Sequence, residues 1–304
     1  MLVGAGVKRP NEGASVQVLG DERVAGQLVL VATPLGNLGD ISRRALELLA
    51  KADVVYCEDT RHSRTLFSAN AIPVHGRLQA LHEHNEASLC AQIVGRVQDG
   101  QLVVLISDAG TPGISDPGSR VVAAVAQAGL VVSTAPGPSA VIAALTISGL
   151  PTERFVMDGF VPRKRGEREA LYAQWAREAR TIVFYESPQR LGATLSELAG
   201  HFENRRVAVA REITKMHEEV LRGTLREVAD VIATRDVLGE IVVVLEGAPE
   251  APQADDETIR AALREQLASG ASVRDAVASV ADEFGTSHRS AYQLALEVRA
   301  GGGA

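Results

Sequence analysis

Val103-Val-Leu-Ile-Ser-Asp-Ala-Gly-Thr-Pro-Gly-Ile-Ser-Asp-Pro-Gly118 opens with four apolar residues, the length expected of a buried parallel strand. A loop with three glycines and two prolines follows, and Ser119-Arg-Val-Val-Ala-Ala-Val-Ala-Gln127 then starts a helix. Open α/β sheets keep their ligands where a strand empties into such a loop. Glycines let the backbone come close to a ligand, and prolines hold the loop's shape. Asp108 and Asp116 add acceptors for hydroxyl or ammonium hydrogen bonds. A tight turn entering a helix through Pro117 would account for Pro117 and Gly110, but not for a loop so long and so restricted.

Outward from this loop the same design recurs. A strand over Gln27-Leu-Val-Leu-Val-Ala-Thr33 ends in Thr33-Pro-Leu-Gly-Asn-Leu-Gly39, and a strand at Leu130-Val-Val-Ser133 runs into Ala135-Pro-Gly-Pro-Ser-Ala140. Strand–helix alternation implies a largely parallel sheet, with its functional edge at the carboxyl ends. Between the loops, Asp40 is placed to cap a helix whose apolar positions are Ile41, Ala45, Leu48 and Leu49. Asp53-Val-Val-Tyr-Cys57 reads as a strand ending in Glu58-Asp-Thr-Arg-His62, and Asn85 is placed to cap a helix through Val97.

Gly149-Leu-Pro151 reads as a boundary to a second α/β unit. That unit holds a strand at Phe155 to Val161, the basic loop Arg163-Lys-Arg-Gly-Glu-Arg168, and a helix containing Trp175. The strand Thr181-Ile-Val-Phe-Tyr185 ends in Glu186-Ser-Pro-Gln-Arg190; helix capping accounts for Ser187 and Pro188, but not for Glu186 or Arg190. A strand from Arg206 to Glu212, the polar loop Ile213-Thr-Lys-Met-His-Glu-Glu219, a helix from about Leu225 and a strand at Glu240 to Leu245 complete it. Three helical segments are expected near 256–268, 272–284 and 287–299, with Ser272-Val-Arg-Asp275 as a capping box. Their spacing suits a small nucleic-acid- or protein-binding module, or equally a packing or dimer element. Five arginines against eight acids between 255 and 304 do not decide it. The organisation expected is a flexible leader over 1–26, α/β domains over 27–149 and 150–247, a linker over 248–255, and a helical module over 256–300.

A chain of 304 residues is long enough for two or three domains. Its 46% hydrophobic and 4% aromatic content suits an aliphatic α/β protein. The net charge of −7 argues against wholesale coating of nucleic acid, so any such contact must come from local clusters such as Arg61-His-Ser-Arg64 and Arg163 to Arg168. Two cysteines are too few for a disulfide framework or a metal cluster, and with no signal peptide or spanning segment indicated, the expected location is the cytoplasm.

Phosphate-binding loops of the G-x-x-x-x-G-K-[ST] or G-x-G-x-x-G kind are absent, and no His/Cys cluster has metal-ligand spacing. Ser107 and Ser115 lack a nucleophile elbow. What remains are backbone-lined pockets with hydroxyls and a few carboxylates, suited to a cofactor with an adenosine and an amino-acid tail. Five motifs then occur in order: Thr33-Pro-Leu-Gly-Asn-Leu-Gly-Asp40, Ser107 through Gly118, Pro136-Gly-Pro-Ser-Ala140, Tyr185-Glu-Ser-Pro-Gln-Arg190 and Arg211-Glu-Ile-Thr-Lys-Met-His-Glu-Glu219. Together they resemble the tetrapyrrole methylase superfamily, and within it the ribosomal RNA branch, over residues 28 to about 246. Ala32 departs from the glycine often found at that point of the first loop.

The resemblance implies two consecutive α/β domains with the cofactor cleft between them, a homodimer, and S-adenosylmethionine-dependent 2′-O-methylation. The implied target is a cytidine ribose in the decoding region of small-subunit rRNA, as free rRNA or in the small ribosomal subunit. Carried over motif by motif, the cofactor lining comprises Pro34, Gly36, Asp108, Ala109, Gly110, Thr111, Ser139, Ala140 and Tyr185. A ribose hydroxyl is a weak nucleophile and a sulfonium methyl an activated one, so positioning and removal of one proton dominate the chemistry. Glu186, Lys215 and Asp108 form the expected catalytic neighbourhood, although surface ion pairing would also explain Lys215. Arg61, Arg163, Lys164, Arg165, Arg168 and Arg190 are the expected RNA contacts. Two alternatives stay open: a corrinoid-precursor methylase of the same fold, and a nucleotide or RNA sensor without turnover.

Overall fold

The computed structural model describes residues 26–202, 204–249 and 255–301. The leader expected over 1–26 lies, but for Gly26, outside the described residues, as does most of the expected linker.

The first sheet is built from β1 (Gln27–Val31), β2 (Val54–Cys57), β3 (Leu78–Ala80), β4 (Leu102–Leu105) and β5 (Val131–Ala135), in the order β3-β2-β4-β1-β5. Every pairing is parallel; Leu28 stands beside Val103 and Val132, so the strand of the central loop has β1 on one side. The apolar runs follow from burial on both faces. One face carries Val29, Val31, Val55 and Val104 under α1 (Arg43–Lys51) and α2 (Thr60–Ala69). The other carries Leu28, Val54, Val103 and Leu105 under α3 (Glu86–Gln98) and α4 (Ser119–Gln127). Cutting back a fully buried residue such as Leu49 to Ala would cost roughly 2–5 kcal/mol.

Two caps differ from expectation. Ser42, not Asp40, caps α1 by accepting from the Ala45 N–H, because Leu38–Asp40 forms a 3₁₀ turn of its own. Asn85 stands at the start of α3 but turns its amide back, accepting from the His82 N–H and donating to the Ala80 carbonyl.

The second sheet comprises β6 (Phe155–Phe160), β7 (Thr181–Glu186), β8 (Arg206–Arg211), β9 (Glu219–Thr224) and β10 (Ile241–Leu245), in the order β6-β7-β10-β8-β9. Only β6–β7 is parallel and the other three pairings are antiparallel, so strand–helix alternation does not describe this half. The reason lies in the connection 212–218. It is too short for a crossover helix, and it returns the chain as β9, a strand not read from the sequence. α6 (Arg165–Trp175), α7 (Pro188–Phe202) and α8 (Leu225–Ala233) cover one face, packing Trp175, Leu191, Leu195 and Val228 on Phe184, Val209 and Val243. The other face is covered by α5 (Ala140–Ser148), which follows β5. α5 is apolar nearly all round, but only one side is buried: Val141, Ala144 and Leu145 are covered while Ile142 is exposed. Val141, Ala144 and Leu145 meet Val183, Ala208 and Val242, so this helix lies against the second sheet.

Both sheets belong to one compact unit, and the C-terminal helices α9 (Asp256–Ala268), α10 (Val273–Phe284) and α11 (His288–Gly301) belong to another. The second unit has its own core of Ile259, Leu263, Val277, Val280, Leu294 and Ala295. Ser272 caps α10 by accepting from the Asp275 N–H, but the Asp275 carboxylate takes the Ser272 hydroxyl, leaving the expected box half formed. Among the described residues, no helix is long and apolar enough to cross a membrane.

Candidate functional site

The three Gly/Pro loops leave the carboxyl edge of the first sheet side by side. Thr33 joins two of them: its N–H donates to the Gly110 carbonyl at 2.9 Å, the Gly110 N–H donates back at 3.0 Å, and its hydroxyl reaches the Ser107 carbonyl at 3.1 Å. The Thr111 hydroxyl donates to the Pro138 carbonyl at 3.0 Å and ties in the third loop. Gly110 adopts φ of +83°, a conformation natural to glycine, and a Cβ there would stand 3.2 Å from Leu35. The methyl of Ala32 is met by Gly137, whose own Cβ would lie 3.1 Å from it, so the missing glycine at 32 is balanced by one across the sheet.

The amino end of α4 is where a phosphate would bind in many β-loop-α units. Here that position is filled from within. Glu86, 4% exposed, accepts from the N–H groups of Gly118 and Arg120 at 2.9 Å and of Val121 at 3.4 Å. The carboxylate takes three N–H donors at this helix end and faces the positive end of its dipole. The partners of Glu86 lie more than thirty residues away in the sequence.

The loops open onto two chambers. The first, about 360 Å³, is lined by Asp108, Ala109, Gly110, Thr111, Ser139 and Ala140 from the first sheet's edge. Tyr185, Glu186, Ser187 and the 239–242 segment close it from the second sheet. The second chamber, about 490 Å³, is lined by Pro34, Gly36, His62, Thr65, Lys215 and Glu240. Leu35, Asp108, Ala109 and Glu240 border both. Of the residues expected to line a cofactor, seven therefore face one chamber, while Pro34 and Gly36 face its neighbour.

Lys215 is held in a strained loop. Glu212 and Thr214 both have positive φ, 53° and 65°, unusual for residues with a Cβ. The Lys215 ammonium donates to Glu212 at 2.9 Å and pairs with Glu240 at 3.3 Å. Partial burial opposes its charge, but the bond to Glu212 and the negative charges of Glu240 and Glu212 outweigh burial and raise its pKa. Its stem runs over Gly36, where a Cβ would fall 2.2 Å from the lysine Cγ. The glycine of the first loop thus makes room for a cation from the second sheet, a link the sequence does not display.

The three expected catalytic residues are placed differently. Asp108 accepts from the Asp59 N–H at 3.1 Å and borders both chambers. Glu186 is 2% exposed; its carboxylate takes the Ser187 N–H and the Thr194 hydroxyl, both at 2.7 Å, and pairs with Arg190 at 3.1 Å. Its oxygens are committed to holding the β7–α7 corner. Asp116, which also lines the first chamber, has its pKa raised to about 6 by burial and by the nearby charges of Glu58 and Asp108, against the Ser107 hydroxyl. Sequence reading gave Asp116 only a generic acceptor's part.

Arg61, Arg163, Lys164 and Arg165 are exposed, with Arg61 paired to Asp59 at 3.2 Å and Lys164 to Glu167 at 3.0 Å. Arg168 and Arg190 differ from expectation, because their guanidinium groups are consumed within the protein. Arg168 is bidentate on Glu197 at 3.0 Å and donates to the Arg163 carbonyl at 2.7 Å. Arg190 adds to its Glu186 pair a bond to the Val161 carbonyl at 2.7 Å. Both hold the backbone that presents Arg163 to Arg165.

Residues 27–229 match the family model of tetrapyrrole (corrin/porphyrin) methylases. A ribosomal RNA small subunit methyltransferase I of Mycobacterium tuberculosis is 46% identical over 277 residues, covering 90% of this chain and 96% of that protein. A protein of the same name from Synechocystis is 42% identical over 280 residues, covering 91% and 100%. Among solved structures, a cobalt precorrin-4 methyltransferase matches with a TM-score of 0.55 at 20% identity, over 75% of this chain and 98% of that one. Diphthine synthase matches with a TM-score of 0.56 at 17% identity, over 72% and 89%; both likenesses concern the fold. Its loops, its paired sheets and these relatives agree: the chain belongs to the tetrapyrrole methylase family, in the branch of the ribosomal RNA small subunit methyltransferases I.

Proposed function

We propose that this protein is an S-adenosylmethionine-dependent methyltransferase that modifies the 2′-hydroxyl of a cytidine ribose in the decoding region of small-subunit (16S) rRNA. It acts in the cytoplasm as a homodimer, with α/β domains at 27–149 and 150–247, a linker at 248–255 and the helical module at 256–300. The observation that carries this reading is the pair of adjoining chambers, one walled by the central Gly/Pro loop and the other holding a cation, in a chain of this family.

The first chamber fits the methyl donor. Gly110 keeps the space that a side chain would fill, and the hydroxyls and carbonyls of Thr111 and Ser139 with the carboxylate of Asp108 offer partners to ribose hydroxyls and an ammonium. When bound, the donor supplies a methyl group activated by a sulfonium centre. The protein's part is alignment and proton management. Lys215, in the second chamber, stabilises the alkoxide that forms as the hydroxyl loses its proton, and Asp108 at the junction accepts that proton. Glu186 acts as a scaffold for the corner beneath them, since its oxygens already have partners. Arg61 and Arg163 to Arg165 attract the phosphate backbone locally on a protein whose net charge is −7.

Labelled S-adenosylmethionine, incubated with small subunits undermodified in their rRNA, tests this. The label is expected on the 2′-oxygen of one cytidine of the decoding region. Label confined to a corrinoid precursor, or on no RNA, contradicts the reading.

A further inference from the structure

Phe160 is an aromatic residue in an unusual position. It ends β6 and is 60% exposed, yet it lines the first chamber. The backbone aims it there. The β6–β7 register shifts between Met157 and Phe160, and Gly159 has φ of +70°. A bulge of this kind re-aims the side chain that follows it. The ring lies 5.3 Å from that of Tyr185, tilted by 44°, with the partly buried Tyr185 on the inner wall and Phe160 outside it. Ile114, 48% exposed, faces the same chamber from the central loop.

The surroundings of this ring select its partner. Exposed Arg163, Lys164 and Arg165 follow at the amino end of α6, where the helix dipole disfavours cations. The intervening backbone is fixed, Val161 and Pro162 by Arg190 and Arg163 by Arg168. An exposed aromatic face followed a few residues on by Arg163, Lys164 and Arg165, the last two paired with Glu167 and Glu169, is an arrangement that grips single-stranded nucleic acid. The reacting atom in the proposed reaction is on ribose. A base on that strand can meet this ring at the rim of the first chamber, and only a base free of its stack has a face to offer.

We propose that Phe160, backed by Tyr185, is a stacking platform for an unstacked nucleobase of the strand that carries the methyl-accepting ribose. This rests on the rRNA methyltransferase reading and adds to it the place where the base is held. Phe160 is a specificity-determining contact, and the chambers beyond it hold the chemistry.

The test uses the full chain with undermodified small subunits, and compares Phe160→Ala, Phe160→Leu and Phe160→Trp. Phe160→Ala and Phe160→Leu are expected to raise KM for the subunits about tenfold, within the range of base–aromatic stacking, while Phe160→Trp stays near the parent. The slope of log affinity against log salt should not change, because no charge is removed. S-adenosylmethionine affinity by calorimetry should also be unchanged. Full rescue by Leu overturns the platform in favour of simple apolar contact. A matching loss of S-adenosylmethionine affinity overturns it by assigning the ring to the donor's adenine. Altered sedimentation with parent-like KM overturns it in favour of a second copy of the chain. If the parent protein transfers no methyl to RNA, the underlying reading fails instead, and that result is separate from all of these.

Discussion

At the scale of single residues, the site depends on Lys215 and on the absence of a side chain at Gly36. The lysine is anchored by Glu212 and Glu240, and its stem occupies the space over the glycine. Lys215→Met is expected to lower the single-turnover rate at saturating RNA by roughly 10²-fold, the scale of a lost oxyanion donor, with donor affinity barely altered. Gly36→Ala should push the same way with the lysine still present, because its methyl must displace the stem. A parent-like rate for both, measured by rapid quench, would remove Lys215 from the chemistry. Asp116 gives a pH signature. Its pKa in the folded protein, about 6, lies above the ordinary aspartate value, so the folded state holds the proton more tightly than the unfolded chain does. Its stabilising effect is complete at low pH and is lost as pH rises through 6. Asp116→Asn should therefore stabilise the fold by roughly 1–2 kcal/mol at about pH 8 after screening, seen as a higher melting temperature, and leave it unchanged at about pH 4. An equal gain at both values would contradict this origin of the shift.

At the scale of elements, two helix ends show what the sequence displayed and what it withheld. The alternation of apolar strands and Gly/Pro loops carried the first sheet, because both of its faces are covered and its strands read as unbroken apolar runs. The same reading missed α2, β3 and β9: α2 begins inside a charged cluster, while β3 and β9 are short or half exposed. The filled end of α4 was also hidden, since its partner Glu86 comes from another helix. Glu86→Gln keeps an acceptor but loses the charge, and should cost roughly 1–3 kcal/mol in urea unfolding. An unchanged midpoint would mean that the N–H groups find water equally well. Arg168 and Arg190 are expected as RNA contacts from the sequence, and their carbonyl and carboxylate partners give them a structural task that the sequence does not display. Arg190→Lys preserves charge but not the fork that reaches both Glu186 and the Val161 carbonyl. It should weaken RNA binding without changing the salt slope, whereas replacing Arg163, Lys164 and Arg165 together by Ala should flatten the slope. A reduced slope for Arg190→Lys would restore it as a phosphate contact.

At the scale of the whole molecule, the design is one parallel sheet whose carboxyl edge faces a second, mostly antiparallel sheet, with α5 packed on the latter. Each sheet supplies only part of either chamber, so loops from distant parts of the sequence meet only in the folded chain. The motif resemblance reached most of these residues because their backbone demands are local, whereas Gly36 with Lys215, and Asp116 with its carboxylate neighbours, are relations across the fold. The central claim is that the glycine-rich chamber holds the methyl donor. Calorimetric titration of the parent protein and of Gly110→Val with S-adenosylmethionine tests it most directly, with circular dichroism as the check on folding. A branched side chain at φ of +83°, beside Leu35 and facing the chamber, should abolish measurable binding while the parent binds one donor per chain. Equal affinity in a folded Gly110→Val protein would place the donor elsewhere and contradict the account.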